Sequence, residues 1–596
     1  MSAATWWSQP YRADGAIDAE GIGKQLGTPG LDPLVVLLRE TAQNSWDARK
    51  SDDTRISLRY GVERLGDARS RAFSSLLLPN SPEMLGALDA ALAPDALVVS
   101  VSDRGTCGLG GPTRSDTVGG KPRDFVNFIR NVGVARDREL GGGTYGFGKG
   151  ALYRLSSVGT VLVDTVCVVA GRRERRLMGA ALGHPFDRHE LPYTGRHWWG
   201  EMRDGVVEPL TGDEAATVAQ RLGLLGFAEG ETGTDVYVLG ALPGEEDGGA
   251  ARSARSAASV IASAALWYLW PKLVARHDRL LLDLVVTADG EQIHVPDPLD
   301  VSALHPFVEA LGTLDAGAGV PHGRQRPARD EGHFAATNDI HIPDTDPVVA
   351  VAAPFAGPAH HCALMRHVEL VVDYLEGPDL SNPYQYGAVF RVVGDGDVDA
   401  AFAAAEPPTH DRWVSKSLSG ESKGTVDRAL RFVRDRLRSL ATPADAGSAG
   451  DGSLATGGLS HALAGVLASA SGDGASGRGG GGGGGGGGAS GSIVRAVGGP
   501  RLVVRNGVAL VAQSVRVDTG AAVAVEASGR VAVDGGTERE APDGAPVPVV
   551  VGWEAAGAWV DGPLLDLAAG STAEWTVYVR PAGESATTVR VREVSR

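Results

Sequence analysis

The chain has 596 residues, of which 43% are hydrophobic, with 56 Lys plus Arg against 73 Asp plus Glu and a formal net charge of −17. That length is several domains' worth at roughly 150 residues each. The acidic balance excludes an overall basic nucleic-acid coat while leaving room for a local basic channel.

No stretch reaches the ~18 nearly uncharged apolar residues of a membrane helix. The start lacks the basic-then-apolar pattern of a secretory signal. Cys107, Cys167 and Cys362 lie far apart, giving neither a disulfide framework nor a metal cluster. A cytoplasmic protein without a membrane partner is the expectation. Only seven basic residues are lysines, so Lys149, Lys272, Lys416 and Lys423 are inspected one by one.

In chain order, residues 31–48 read as a helix with Asp32 as N-cap and Pro33 in the first turn. Strands follow at 56–60, 97–102, 158–169 and 236–239. A long helix spans 254–274, and 280–287 with 291–295 form a hairpin across Ala288-Asp-Gly. A basic helix runs from Thr425 to Leu440. Residues 442–492 are mostly Ala, Gly and Ser, with ten consecutive glycines at 479–488; such chain buries too little to offset its ordering entropy and acts as a tether. Beyond it, short alternating runs at 501–505, 508–511, 521–525, 530–533, 547–553, 574–579 and 587–591 read as a small β-sandwich, a packing or partner-binding module.

Three separated pieces carry chemistry. On the first helix Glu40, Asn44 and Asp47 recur at four and three residues, so they project from one side, away from Leu34, Leu38 and Ser45. A carboxylate and an amide on consecutive turns can hold a hydrated Mg²⁺ and a water; alone, a solvated polar face is the plainer reading. The second piece is a strand running into Asp103, then Gly105, Gly108 and Gly110. An aspartate there can accept from an adenine amino group while glycine lets backbone pass close to a base or ribose; alone, it is an ordinary turn.

The third piece is Gly143-Thr-Tyr-Gly146-Phe147-Gly148-Lys149-Gly150 ahead of an amphipathic segment. Its backbone N–H groups and the helix start suit a phosphate. Gly143 to Lys149 fits G-x-x-x-x-G-K, but Gly150 stands where a Mg²⁺-binding Ser or Thr is needed, and a charged run rather than an apolar strand precedes it. The P-loop reading is therefore set aside.

Glu40-x-x-x-Asn44-x-x-Asp47-Ala48 resembles the N box of the GHKL superfamily, which includes type II topoisomerase ATPase domains, MutL, the heat-shock chaperones of this fold, the MORC ATPases and histidine kinases. Asp103-x-Gly105 resembles its G1 box, although Thr106 and Cys107 separate the two glycines where one residue is usual. The Gly143–Gly150 loop resembles the lid, and Gly233-Thr234 the last box.

The resemblance implies an α+β chain: a Bergerat-type α/β sandwich ATPase domain over 1–245, a transducer-like α/β domain over 246–441, a flexible linker over 442–491 and the sandwich over 492–596. It implies ATP and Mg²⁺ as cofactors. Glu40 would be the general base, Asn44 the Mg²⁺ ligand, Asp47 a support and Asp103 the adenine acceptor. Gly105, Gly108 and Gly110 would line the base. Gly143, Gly146, Phe147, Gly148 and Gly150 would form the phosphate lid, in which Lys149 either touches phosphate or faces solvent. Thr234 would contact the adenine side.

Only 39 residues precede Glu40 and none is His, so the histidine-kinase arrangement is not expected. The transducer branch supplies a switch lysine. Lys416, in the Pro-, Thr-, His- and Trp-bearing loop 405–416, is the first choice, then Lys423. Lys272 reads more simply as a lysine snorkelling at a helix end. The expectation is an ATPase that closes a homodimer on ATP, acting on DNA in a DNA-handling or antiviral defence system or on a protein client. The sandwich would bind a protein partner. The alternative is an ATP-binding scaffold or chaperone-like protein with little turnover.

Overall fold

Asp32 opens the first helix as its sequence position predicts: its carboxylate accepts from the Leu34 N–H at 2.8 Å, and Pro33 occupies the first turn. A computed structural model describes residues 4–13, 15–16, 18–19, 31–51, 54–118, 122–131, 150–246, 249–276, 279–380, 384–407, 412–441, 493–505, 508–519, 522–533, 536–537, 547–555, 558–582 and 587–594.

Its strands, in chain order, are β1 (Thr5–Pro10), β2 (Ile56–Arg64), β3 (Leu97–Arg104), β4 (Thr160–Val169), β5 (Arg172–Leu182), β6 (Phe186–Arg188), β7 (Leu191–Arg203), β8 (Val206–Glu208), β9 (Leu210–Thr211), β10 (Gly233–Val238), β11 (Leu282–Ala288) and β12 (Glu291–Ile293). Among the described residues these twelve form one sheet, ordered β1-β7-β5-β4-β10-β3-β2-β11-β12 along its main path. The helices beside it are α1 (Pro33–Asp47), α2 (Gly66–Leu77), α3 (Leu88–Ala91), α4 (Asp124–Ile129), α5 (Gly150–Leu155), α6 (Gly212–Arg221) and α7 (Ala254–Leu273).

The first layer does not stop at residue 245. After α7 the chain returns to the sheet, and β11 pairs in parallel with β2 from Leu282↔Ile56 to Ala288↔Val62. The sheet therefore reaches Ile293 before the second layer begins. That layer contains α8 (His305–Asp315), α9 (Pro347–Val351), α10 (Gly396–Ala405) and α11 (Gly420–Ala441), and a sheet ordered β13 (Val320–Gln325), β14 (Ala328–Ile340), β17 (Tyr384–Val392), β15 (His360–Met365), β16 (Val371–Glu376).

From Val260 to Lys272 helix α7 is buried on every side because it lies between layers, against α1, α9, β2, β11 and β16. Its alanines 257, 258, 262, 264 and 265 let those neighbours approach. One buried cluster runs from Leu37 and Val163 through Ile261 and Leu266 to Phe307 and Met365. The two expected domains thus share a core. Consistently, Met1–Ala336, Pro343–Glu376 and Gly387–Val433 form one compact unit.

The second unit comprises Thr337–Ile342, Gly377–Tyr386 and Arg434–Arg596. Within it lie two antiparallel sheets. The first is β18 (Ile493–Arg505), β19 (Val508–Asp518), β25 (Thr572–Arg580), β22 (Val549–Ala555) and β23 (Ala558–Asp561). The second is β20 (Val523–Val533) with β21 (Gly536–Thr537), β24 (Leu564–Leu567) and β26 (Thr587–Val594). Val515, Trp553 and Val577 of the first share a buried cluster with Val525, Leu565 and Val589 of the second. The linker residues 442–491 lie outside the described residues. No described helix is long and apolar enough to cross a membrane.

A buried charge network pins the end of α7 to the second layer. Glu369 accepts from Lys272 at 2.9 Å, from Arg391 at 2.5 Å and from Arg276; Asp315 also takes Arg276 and Arg391, each at 2.8 Å. Burial opposes the Glu369 charge, but the hydrogen bond from Arg276 and the field of Lys272 outweigh it and hold the carboxyl well below the usual range. Its stabilisation is complete above the ordinary glutamate pKa near 4.5 and is lost as pH falls through that region toward the folded value. Glu369→Gln leaves three cations short of an anion and should cost about 3–5 kcal/mol at pH 7, less in acid, by denaturant titration. Equal losses at pH 7 and pH 3 would contradict this account.

Candidate functional site

Alternation along three neighbouring strands builds the site. In register, Asp103 on β3 lies beside Thr234 on β10, which lies beside Thr165 on β4. Side chains of one register row share a face, so the three form a polar line across an otherwise apolar sheet. The Asp103 carboxylate accepts from Ser45 Oγ at 3.0 Å, from the Thr234 N–H at 3.0 Å and from Thr106 Oγ1. Thr165 Oγ1 meets Thr234 Oγ1 at 3.0 Å and donates to the Gly233 carbonyl at 2.8 Å. Thr165 was not legible as a site residue inside its valine-rich run; the signal was its register with Thr234, which only sheet pairing reveals.

Ser45 also changes role. Expected on the stripe away from the polar edge, it instead ties α1 to the end of β3. The spacing that departs from the G1 pattern has a use as well. Thr106 caps Asp103, and the Cys107 N–H donates to the Ala48 carbonyl at 2.9 Å, so the two residues between the glycines fasten the loop to Asp103 and to the end of α1. Gly108 must be glycine: its φ is +65°, and a Cβ would stand 2.2 Å from the Val166 carbonyl oxygen. Gly105 and Gly110 flank it, the latter buried.

The row beneath points to the opposite face. Asp235 and Asp164 are fully buried neighbours. Arg104 Nη1 donates to Asp235 at 2.6 Å and to the Asp103 carbonyl at 2.7 Å, and Arg175 Nε donates to Asp164 at 2.9 Å. Burial pushes the Asp235 carboxyl up to about 6 even against Arg104. This pair grips from behind the two strands that present Asp103 and Thr234.

On α1, Glu40 (6% exposed) and Asp47 (4%) are buried and Asn44 half-buried. Gln43 Nε2 donates to Asp47 at 3.4 Å. The helix is gripped from the second layer too: Arg39 donates to the Val372 carbonyl at 2.6 Å and lies over the Tyr268 ring. The expected polar edge is therefore enclosed rather than solvated. One amide such as Asn44 suits a Mg²⁺ that keeps several waters and takes phosphate oxygens; among the described residues no cluster of three or more His, Cys, Asp or Glu competes for it.

Asp103, Thr234, the G1-like loop and the end of α1 are joined by these hydrogen bonds. The chain resembles the GHKL ATPases. No family model and no curated protein matches it. Among solved structures it is similar to the ATPase region of Saccharomyces cerevisiae topoisomerase II bound to ICRF-187 (dexrazoxane), at 10% identity over 67% of this chain and 85% of that one, with a TM-score of 0.28. It is also similar to the ATPase and transducer domains of DNA topoisomerase II from Balamuthia mandrillaris, at 10% identity over 73% and 92%, TM-score 0.27.

In the GHKL-like frame, Gly143, Gly146, Phe147, Gly148 and Lys149 lie outside the described residues, while Gly150 is the buried first residue of α5. Lys416 is exposed on the 3₁₀ turn Ser415–Ser417, and Lys423 pairs with Asp427 at 2.8 Å. Lys272 does not snorkel. It is 6% exposed, bonded to Glu369 and 4.3 Å over the Trp46 ring, and burial pushes its pKa down to about 8.

Asp103→Asn keeps the shape but turns an acceptor oxygen into a donor. ATP affinity should fall at least about tenfold, the scale of a charge-assisted hydrogen bond, with the thermal midpoint measured alongside to exclude unfolding. Unchanged affinity in calorimetric titration would remove Asp103 from the site.

Proposed function

We propose that the chain binds ATP with Mg²⁺ over the Asp103–Thr234–Thr165 row and hydrolyses it, using α1 as the catalytic helix. The observation that carries the reading is the Asp103 carboxylate, fixed by Ser45, Thr106 and the Thr234 backbone at the open end of β3. An acceptor so placed suits the exocyclic amino group of adenine. Thr165 extends the polar row beneath the base, and the Gly143–Gly150 loop supplies backbone N–H groups for the phosphates. Asn44 would hold Mg²⁺, which supplies charge neutralisation for phosphoryl transfer. Glu40, one turn before Asn44, takes the proton of the attacking water, and Asp47 steadies the helix edge.

Nucleotide binding closes a homodimer and hydrolysis reopens it. The second layer acts as the transducer, and the C-terminal sheets act as a β-sandwich module for a protein partner. The work of the cycle is directed at DNA, in a DNA-handling or defence role. One observation favours the second reading, a nucleotide-binding scaffold with little turnover: Glu40 is enclosed at 6% exposure beneath the second layer.

Turnover separates the two. Glu40→Gln should lower phosphate release by about 10²–10⁴-fold, the contribution of a positioned acid or base, while ATP affinity changes little and the ATP-bound dimer persists longer in light scattering. Asn44→Ala should weaken Mg²⁺-dependent binding and turnover together. A parent chain that binds ATP without releasing phosphate supports the scaffold; Glu40→Gln turnover equal to the parent's removes Glu40 as the base.

A further inference from the structure

The N-box edge of α1 faces a cation that no lysine provides. The turn between β15 and β16 carries Arg366, whose side chain is 3% exposed. Its guanidinium is oriented by Asp399 of α10 through a two-point contact, Nε to Oδ1 at 2.9 Å and Nη2 to Oδ2. His367 Nδ1 meets the same carboxylate at 2.8 Å, and Glu406 lies 4.0 Å from Arg366 Nη1. Burial opposes the Asp399 charge, but the bonds from His367 and Arg366 prevail and keep it ionised. Arg366 in turn lines a cavity of about 30 Å³ together with Glu40, Gln43, Arg39 and Glu406, walled by Leu269 and Val371. That is room for one or two ordered waters, and the polar lining offers them partners. Asp47 is near enough for its charge to strengthen the hold of Arg366 on its proton.

We infer that Arg366 is a positioning residue: it holds the carboxylate of Glu40 in its catalytic orientation across this cavity, and so makes hydrolysis depend on the seating of the second layer against α1. The inference rests on the assignment of Glu40 as the base. A guanidinium fits the task because it is always charged and its planar fork is oriented by Asp399 on one edge while the side chain lines the cavity. The charged groups facing it are Asp399, Glu406, Glu40 and Asp47, with His367 behind Asp399 and Arg39 across the cavity. The same turn ends in Glu369, whose N–H bonds the Arg366 carbonyl at 2.9 Å and whose carboxylate anchors α7 through Lys272. A shift of the second layer therefore moves Arg366 relative to Glu40.

The test uses the full chain with ATP and Mg²⁺, comparing the parent, Glu40→Gln, Arg366→Lys and the charge-balanced double variant Arg366→Gln/Asp399→Asn, which leaves no lone buried carboxylate from the pair. In the double variant turnover should fall about ten- to hundredfold, the scale of one charge-assisted hydrogen bond. ATP affinity should stay within about threefold, because Arg366 faces the base and not the adenine row. The acid limb of the kcat–pH profile should move to higher pH, since a carboxylate that loses a nearby cation binds its proton more tightly. Arg366→Lys keeps the charge, so its acid limb should stay near the parent's. Turnover and pH profile like the parent's in the double variant would overturn the inference, as would equal losses of affinity and turnover. If the double variant does not fold, an acid limb displaced in Arg366→Lys as far as loss of the charge would displace it overturns the inference, and an unmoved limb with reduced kcat supports it. Absence of phosphate release from the parent, or parent-like release from Glu40→Gln, would instead fail the underlying assignment.

Discussion

Everything at the site depends on how the Asp103 carboxylate is held. A carboxylate at a strand end, half-buried, must be satisfied from several directions or it loses its place. Here the directions come from three parts of the chain: Ser45 from α1, Thr106 from the loop beyond the strand and the Thr234 N–H from β10; behind the sheet Arg104 holds the backbone in place by clasping both Asp235 and the Asp103 main-chain carbonyl. The residue is thereby a joint between helix and sheet as well as an acceptor. A ligand that bonds it joins a network already ordered, so little additional entropy is spent in fixing the acceptor.

The second consequence concerns α1. One side of the helix is tied to the sheet through Ser45, and the other is gripped by the second layer through Arg39 on the Val372 carbonyl and by α7 through Lys272 on the Trp46 ring. A helix held on both sides cannot shift relative to one neighbour without disturbing the other. The common core that runs from Leu37 to Phe307 gives the same result from packing alone. A displacement of either layer would therefore be felt by α1. Glu369, at φ +56° in the turn that also carries Arg366, is fixed by three cations. Through that turn the second layer meets the helix.

The sequence was most legible where interactions are local. Asp32 and Pro33 announced α1, the hairpin across Ala288-Asp-Gly appeared as β11 and β12, and the position of Asp103 at a strand end followed from the valine run before it. What was hidden is long-range. The charged run Arg172–Arg176 begins β5, where Arg175 reaches the buried Asp164 and Arg176 the Leu109 carbonyl. The return of β11 to pair in parallel with β2 is likewise a contact between segments more than two hundred residues apart. Thr165 and Arg366 gave no local signal, since the contacts of each are with residues far away in the chain. Lys272 misled for the converse reason: a lysine at a helix end is usually solvated, and only the distant Glu369 and Trp46 keep this one inside.

The central claim, that the polar row over β3, β10 and β4 is an adenine site, is tested most directly by competing ATP with ITP at equilibrium in the presence of Mg²⁺. The two ligands share ribose, phosphates and metal, and differ where adenine carries its amino donor and hypoxanthine a carbonyl. The account predicts that ATP binds at least about tenfold more tightly, because a carbonyl set against the Asp103 carboxylate loses a charge-assisted hydrogen bond and adds a repulsion. Equal affinities for the two would contradict it.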